Sequence, residues 1–433
     1  MTIARVNLWG RMIGAVSWNA EENKANFEYE AEFTKSGIEV SPLEMPLSSK
    51  IYSFPSLAFE TFHGLPGMLA DSLPDGFGNA LINAWLAKEG RNPAGFNPVE
   101  RLCYTGARGM GALEYVPSTG PNPAKANEID IDSLVKLARE ILTSRENFHG
   151  SFNLSERENS LQEILRVGTS AGGARAKAII AWNPDTEEVR SGQIDAGSGF
   201  SYWLLKFDGV SGNKDKELED PAGSGLIEYA YYKMATAAGI KMSECRLLSE
   251  NSRNHFMTKR FDRTDNGEKI HMQTFSGLAH LDFNQAGAHS YEQALRTIRM
   301  LGMPMQSIEE QFRRMTFNIV ARNQDDHVKN IAFLMDKAGN WSLSPAFDMT
   351  YSHNPNGIWT SRHQMKLNGK RDDFELEDFK TCAKTVSMKR GRAEEILKEV
   401  QSAVSKWPDF AEDSGVDYET AVKIGRSHRL DLM

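Results

Sequence analysis

Residues 312–352 constrain the fold of this 433-residue chain more than any other stretch. Apolar side chains recur at helical spacing from Phe312 to Val320, which predicts a helix with one face against a core. The polar loop DDHVKN at 325–330 follows, and then IAFLMD, a KAGN turn and WSLS predict a β-hairpin. A further carboxylate, Asp348, comes just after the hairpin. The stretch therefore predicts a helix, a polar loop, a hairpin and an acidic residue in direct succession.

The spacing of polar residues in this stretch matches the catalytic loop of protein kinases. Four residues separate Asp325 from Asn330, as they separate the kinase Asp that orients a substrate hydroxyl from the Asn that holds a metal. Kinases also place a magnesium-binding acid after a hairpin, which is the position of Asp348. Mg²⁺ prefers oxygen ligands and usually binds one or two protein groups together with phosphates and water. We therefore predict that Asn330 and Asp348 hold Mg²⁺ and that Asp325 faces a hydroxyl nucleophile, although Asp and Asn are also common in simple turns.

Composition sets the broad class of the protein. The chain is 40% hydrophobic and 25% charged, which is typical of a globular protein, and its length predicts two or more domains. A net charge of −8 argues against a surface that coats nucleic acid throughout. The cysteines are widely separated, which indicates a reducing compartment, and no signal-like or membrane-spanning apolar run occurs. We expect a cytoplasmic protein without a membrane role.

A glycine-rich segment, LRVGTSAGGARAKAIIAWN at 165–183, precedes a predicted strand. Gly172 and Gly173 would let backbone N–H groups approach phosphate oxygens, and Arg175 and Lys177 would neutralise them. The segment lacks the spacing of a Walker A motif, and a flexible hairpin loop is the alternative interpretation.

The next strand, SYWLLKFD, carries Lys206 on the same face as Leu204. Kinases use a lysine in this position to bind nucleotide phosphates and steady it with a Glu from the following helix. That helix, SGLIEYAYYKMATAAGI, carries Glu228 near its start. An edge-strand lysine and a partner of the helix dipole are the simpler alternatives. The order of glycine-rich loop, lysine, glutamate, Asp-x4-Asn and final aspartate is nevertheless that of a kinase.

These patterns predict an α+β chain with a two-lobe, protein-kinase-like fold, in which a mixed α/β N-terminal half precedes a mainly helical C-terminal half. We expect a β-rich N-terminal subdomain at 1–125, an N-lobe-like unit at 126–260 and a helical C-lobe-like unit at 261–433. A Pro/Gly-rich linker at 116–128 marks the first boundary, and residues 255–267 are predicted to connect the lobes and to hold adenine.

Together, GTSAGGARAK, WLLKF, KRFDR, NQDDHVKN and SPAFDMTYS resemble the motifs of the HipA family, the serine/threonine-protein kinase toxins of bacterial toxin–antitoxin modules. LADSLPDGFGNAL and LCYTGARGMGALEYVP extend the resemblance to the N-terminal region. The resemblance implies a kinase that binds ATP and Mg²⁺ and phosphorylates protein serines, in the best-known case on a tRNA synthetase, which halts translation and favours dormancy. It also implies a small helix-turn-helix antitoxin, HipB, with which the toxin represses its own operator DNA.

The resemblance also implies roles for individual residues. Asp325 matches the catalytic Asp, and Ser170 matches a serine that the family autophosphorylates, where a phosphate would add about −1.5 to −2 charges to the loop. Two positions depart from the expected pattern, namely Lys259, where Glu is expected, and Asp326, which adds a carboxylate beside Asp325. The residues that match ATP and metal contacts are Gly172, Gly173, Ala174, Arg175, Ala176, Lys177, Lys206, Lys259, Arg260, Phe261, His327, Val328, Lys329, Asn330, Phe347 and Asp348.

A short basic cluster contains Lys366, Lys370 and Arg371 and is a candidate DNA contact, because each phosphate contact adds to salt-dependent binding. Acidic residues follow immediately, so a solvated turn is the alternative. Two further functions stay open from the sequence: a small-molecule phosphotransferase of the same wider fold, and a transcriptional corepressor with a vestigial kinase site. The complete set of Asp325, Asn330 and Asp348 argues against a vestigial site.

Overall fold

The computed structural model describes residues 2–120, 129–143, 164, 168, 175–193, 196–210, 222–264 and 266–432. Within these ranges the chain forms three antiparallel sheets and a large group of helices. The two-lobe α+β fold predicted from the sequence is confirmed.

The N-terminal sheet is built from strands whose apolar residues alternate with polar ones, so that one face lies against a core. Its strand order is β3-β2-β1-β4. The helices between β3 and β4 cover this core, and the fourth of them begins at a capping box formed by Asn97 and Glu100. The elements are β1 (Thr2–Leu8), β2 (Arg11–Asn19), β3 (Lys24–Tyr29), α1 (Phe59–Phe62), α2 (Gly67–Ala70), α3 (Gly76–Lys88), α4 (Pro98–Thr105) and β4 (Leu113–Val116), with a 3-10 turn at Pro93–Gly95.

The second sheet has the strand order β6-β5-β7-β9-β8 and is antiparallel throughout. Its elements are α5 (Ile131–Thr143), β5 (Lys177–Trp182), β6 (Val189–Ser191), β7 (Ser201–Lys206), α6 (Ser224–Ala237), β8 (Cys245–Glu250) and β9 (Arg253–Lys259). One hydrophobic cluster contains side chains of α3, α5, β5 and β7. Side chains of α3, which precedes the predicted boundary near residue 125, thus pack with the second sheet, and the predicted domain bounds stay a prediction.

The third sheet joins a strand before the helical region to the predicted hairpin, in the order β10-β11-β12. Helices surround it in one large apolar core that also includes α6. The predicted helix before the polar loop and the hairpin after it are both present. The elements are β10 (His271–Thr274), α7 (Phe275–Leu278), α8 (Tyr291–Met300), α9 (Met305–Val320), β11 (Ala332–Met335), β12 (Trp341–Leu343), α10 (Leu376–Thr385), α11 (Arg392–Val404), α12 (Trp407–Asp413) and α13 (Tyr418–Ser427), with a 3-10 turn at Val328–Asn330. Among the described residues, no helix has the length and hydropathy needed to cross a membrane.

Asp262 connects the N-terminal subdomain to the segment that follows β9 of the second sheet. Its carboxylate, which is fully buried, accepts from Arg260 at 2.8 and 2.7 Å, from Arg263 at 2.8 Å and from the Gly111 N–H at 2.7 Å. Burial acts to raise the pKa of Asp262, but the two guanidinium groups hold it well below its usual range. The carboxylate is therefore charged and its oxygens are well satisfied, as a buried charge requires.

We predict that Asp262→Ala lowers the free energy of unfolding by about 3–5 kcal/mol, because two buried arginines lose their counter-charge. Chemical denaturation measures this change. Glu412→Ala, at an exposed position on α12, is the control and should change stability by less than about 0.5 kcal/mol.

A further variant, Asp262→Asn, tests the pH dependence. Because the folded-state pKa of Asp262 is lowered, its contribution is complete above about pH 4, the ordinary range of an aspartate, and is lost as the pH falls further. Asp262→Asn should therefore lose less stability than the parent chain between about pH 4 and pH 2. An equal acid sensitivity in the two proteins would contradict this role.

Candidate active site

Lys206 lies at the end of β7 and contacts two carboxylates. Its Nζ donates to Glu228 Oε1 of α6 at 2.5 Å and also to Asp348. Burial alone would lower the pKa of Lys206, but Asp348 and Glu228 together raise it above its ordinary value. The charged lysine thus joins the second sheet, α6 and the segment that follows β12.

Asp348 has a backbone φ of +53°, in the left-handed region that Asp adopts more readily than most residues. Burial acts to raise the pKa of its carboxyl, but Lys206 and Lys177 hold that pKa well below the usual range. Its side chain is 32% exposed, so a ligand can reach it. Its carbonyl accepts from Asn323 Nδ2 at 3.2 Å, which links it to the loop before Asp325.

Lys177 lies directly opposite Lys206 in the pairing of β5 with β7, which brings two cations together. Lys177 Nζ is 3.2 Å from Asp75 Oδ2, and each side chain is only 3% exposed. Asp75 Oδ1 accepts from the Gly78 N–H at 2.6 Å, so this residue also caps α3. Burial lowers the pKa of Lys177 and raises that of Asp75, and the attraction between them opposes both changes.

Glu228 has a second cationic partner, because Arg175 Nη1 is 3.0 Å from Glu228 Oε2. Glu228 is 1% exposed, so its two oxygens hold two cations in a site from which water is largely excluded. We refer to the six charged side chains as the charge cluster, which consists of Arg175, Lys177, Lys206, Asp75, Glu228 and Asp348.

Asp325 lies at the edge of the site with its side chain 38% exposed. Trp359 Nε1 donates to Asp325 Oδ1 at 2.7 Å, and His327 Nε2 is 3.8 Å from the same oxygen. The loop is held beside the Asp348 segment, because the Gln324 N–H donates to the Ser352 carbonyl at 3.1 Å. Asp325 is therefore accessible and oriented by neighbouring side chains.

Asp326 has a different environment from its neighbour. It is 3% exposed and accepts from the Tyr291 hydroxyl at 2.5 Å, from His363 Nδ1 at 2.7 Å and from the Gln364 N–H at 2.7 Å. Burial acts to raise the pKa of Asp326, but His363 and the donated hydrogen bonds lower it below its ordinary value. The second carboxylate therefore holds the loop in place, which leaves Asp325 as the one that a substrate can reach.

The donor atoms of Asn330 and Asp348 fit Mg²⁺. Asn330 Nδ2 donates to the Asp325 carbonyl at 2.8 Å, which leaves the amide oxygen as the atom suited to a cation. One amide oxygen and one carboxylate, completed by phosphates and water, are the kind of ligand set that Mg²⁺ accepts. The assignment of both residues to the metal stays a prediction.

The segment predicted to hold adenine overlaps the end of β9, and two of its residues are hydrogen-bonded within the protein through their backbones. The Lys259 N–H donates to the Glu244 carbonyl at 2.8 Å, and the Arg260 N–H donates to the Tyr202 carbonyl at 2.9 Å. The Arg260 side chain is directed to Asp262. The rings of Phe261 and Phe347 lie 5.6 Å apart and provide an apolar pair. Contact of these residues with a base stays a prediction.

Of the other predicted nucleotide contacts, some have partners within the protein and the rest are not described by the structure. The Ala176 carbonyl accepts from the Phe207 N–H at 3.0 Å, and Val328 is buried in the large core. Lys329 Nζ lies 4.8 Å from the centre of the Phe283 ring. The predicted loop residues Gly172, Gly173, Ala174 and Ser170 lie outside the described residues.

The candidate DNA-contact cluster lies in the turn after residue 363. Lys370 Nζ is 2.9 Å from Asp378 Oδ2, and Arg371 Nε donates to the His363 carbonyl at 2.5 Å. The backbone of Lys366 pairs with that of Ser290. Lys370 and Arg371 therefore have intramolecular partners, and their contact with DNA stays a prediction.

Two residues at the site were not identified from the sequence. An Asp directly before a helical pattern indicates a cap, which Asp75 is, but its pairing with Lys177 depends on packing between segments about a hundred residues apart. Trp359 lies in a polar segment without periodicity, so no local pattern points to it.

The C-terminal region matches the sequence model of the HipA-like C-terminal domain over residues 169–407, more than half of the chain. The chain belongs to the HipA family. A second match, to the HipA N-terminal domain over residues 4–116, covers the first sheet and the helices α1 to α4. The resemblance seen in the sequence motifs is thus confirmed. A comparison with curated protein sequences found no match.

A solved HipA structure shares the fold of this chain. The complex of the Shewanella oneidensis MR-1 toxin–antitoxin system, containing HipA, HipB and operator DNA, includes a chain that aligns with a TM-score of 0.67 at 15% identity. The alignment covers 98% of this chain and 94% of that chain. The Helicobacter pylori proinflammatory kinase CtkA aligns with a TM-score of 0.34 at 13% identity, over 54% of this chain and 89% of that chain.

The contrast between the two neighbouring carboxylates gives a stability prediction. Asp326→Ala should lower the free energy of unfolding by about 3–5 kcal/mol, since it leaves buried partners without their acceptor. Asp325→Ala should change it by less than about 1 kcal/mol, because this side chain is partly exposed. Denaturation of both variants under the same conditions measures the difference, and equal losses would show that Asp326 does not hold the loop.

Proposed function

We propose that this protein is an ATP- and Mg²⁺-dependent serine/threonine-protein kinase that acts in the cytoplasm as the toxin of a toxin–antitoxin module. The observation that supports this proposal best is the contact of Lys206 with both Glu228 and Asp348. Protein kinases contain such an arrangement, in which a strand lysine forms an ion pair with a helix glutamate near an aspartate that binds the metal.

Each residue of the site then has a role in phosphoryl transfer. Lys206, Lys177 and Arg175 would bind the nucleotide phosphates, while Asn330 and Asp348 would hold Mg²⁺. The metal would bridge phosphate oxygens and neutralise the charge that develops on them. Asp325 would orient the acceptor hydroxyl and accept its proton. Positioning and charge neutralisation would supply most of the rate.

The role as a toxin rests on membership of the HipA family. The Shewanella complex contains HipA together with HipB and operator DNA, and we propose that this chain likewise binds a small helix-turn-helix antitoxin and represses its own operator. The protein substrate would be a component of translation, with a tRNA synthetase as the first to test. Its phosphorylation would inhibit growth and favour dormancy.

We predict that Asp325→Asn lowers phosphate transfer from labelled ATP by at least ~100-fold, because a general base contributes about 10²–10⁴-fold. Nucleotide affinity should stay within about threefold, since this residue would not bind phosphate. Lys206→Met should weaken both, because it removes a phosphate-binding charge. Transfer to a protein acceptor and binding of a fluorescent ATP analogue measure the two quantities.

Lys398→Met, which removes an exposed lysine of α11, is the matched control for Lys206→Met and should leave both quantities unchanged. Omission of Mg²⁺ should abolish transfer by the parent chain. Full transfer by Asp325→Asn would disprove the assignment of the base. Transfer to a small molecule but to no protein would favour a small-molecule phosphotransferase.

Autophosphorylation at Ser170 forms part of the proposal, because a phosphate on the glycine-rich loop would repel the nucleotide phosphates and switch the kinase off. Purified protein incubated with ATP should gain one phosphate, which mass spectrometry locates. Ser170→Ala should lack that phosphate and stay active for longer. A phosphate at Ser170 in protein carrying Asp325→Asn would show that it comes from another kinase.

A further inference from the structure

The segment after Asp348 returns to the polar loop and reaches Asp325. There the Trp359 indole N–H donates to Asp325 Oδ1 at 2.7 Å. The preceding residue, Ile358, is 96% exposed, so apolar packing does not fix the turn at that position. A tryptophan that reaches the accessible carboxylate from such a turn needs other contacts to hold it.

Those contacts come from the neighbouring carboxylate. Asp326 accepts from His363 Nδ1 and from the Gln364 N–H, both at 2.7 Å, and Gln364 Nε2 in turn donates to the Trp359 carbonyl. Asp326 is 3% exposed, so these hydrogen bonds are shielded from water. The residue next to Asp325 in sequence therefore holds the segment that brings the indole to Asp325.

The contacts of Asp325 distinguish its two oxygens. Trp359 Nε1 and His327 Nε2 both approach Oδ1, at 2.7 and 3.8 Å. A carboxylate with one oxygen held by a donor presents the other in a defined direction. Such orientation matters because displacement of a catalytic group by about 1 Å can cost about 10²-fold in rate.

We propose that Trp359 is a positioning residue of the kinase, which holds Asp325 Oδ1 so that Oδ2 receives the proton of the acceptor hydroxyl. This inference rests on the proposed function. In the step concerned, the acceptor oxygen bonds to the γ-phosphorus and the bond from that phosphorus to the bridging oxygen breaks. The electron pair leaves with ADP, and the hydroxyl proton passes to Oδ2.

Trp359→Phe tests the proposal because it keeps an aromatic ring and removes the N–H donor. The kcat for phosphate transfer should fall by about tenfold while the KM for ATP changes less than about twofold, since Asp325 orients the acceptor and does not bind nucleotide. Trp341→Phe is the matched control. The N–H of Trp341 donates to the Glu39 carbonyl at 3.2 Å, away from Asp325, and its loss should leave kcat unchanged.

A second measurement does not depend on activity. The protein is labelled with 5-fluorotryptophan and its ¹⁹F spectrum is compared with that of Trp359→Phe. The resonance missing from the variant is assigned to Trp359. Asp325→Ala should shift that resonance and leave the resonance of Trp341 in place. If Trp359→Phe fails to fold, Trp359→Tyr serves for the assignment, and the effect of Asp325→Ala still decides whether the contact exists.

The outcomes separate the inference from the function on which it rests. A Trp359→Phe protein with the kcat of the Trp341→Phe control, or a Trp359 resonance that Asp325→Ala leaves unchanged, overturns the inference alone. A parent chain that binds ATP but transfers phosphate to no acceptor overturns the proposed function, and the catalytic role of Trp359 with it. A selective fall in kcat together with the resonance shift supports both.

Discussion

The shared contact of Lys206 with Glu228 and Asp348 is the interaction on which the arrangement of the site depends. A buried ammonium is costly unless opposite charges surround it, so three separate parts of the chain must meet where its Nζ lies. The strand supplies the cation, and a helix and the segment after the hairpin supply the anions. The second sheet, α6 and the segment after the hairpin therefore meet at one charge, in addition to the apolar core that α6 shares with the helical region.

The charge cluster has no net charge, because it contains three cations and three carboxylates. A nucleotide brings phosphate oxygens that compete for the cations, and Mg²⁺ brings positive charge that competes with Lys206 for Asp348. Binding of the pair would therefore exchange partners within the cluster and leave little net charge uncompensated. Asp348 is 32% exposed and Glu228 is 1% exposed, so under the proposed function Asp348 is the carboxylate that would change partners.

Local patterns in the sequence predicted much of the fold. The helix α9 was predictable because its apolar residues recur at helical spacing before Asn323. The β11–β12 hairpin was predictable because apolar runs flank the KAGN turn. Both patterns are local, since they depend on how one element packs. The order of Lys206 and Glu228 along the chain pointed to a shared site. Contacts between distant segments were not predictable in this way, because which acid meets Lys177, or which side chain meets Asp325, is decided by tertiary packing.

The pairing of Asp75 with Lys177 has a consequence for how the molecule can be divided. The aspartate belongs to the region matched by the HipA N-terminal domain, and the lysine lies on the strand after the glycine-rich segment. A fragment starting at residue 126 would keep the glycine-rich segment, Lys206 and Glu228, but it would lack the carboxylate that pairs with Lys177, which lies opposite Lys206. The first subdomain thus supplies the counter-charge of Lys177 in addition to packing against the second sheet.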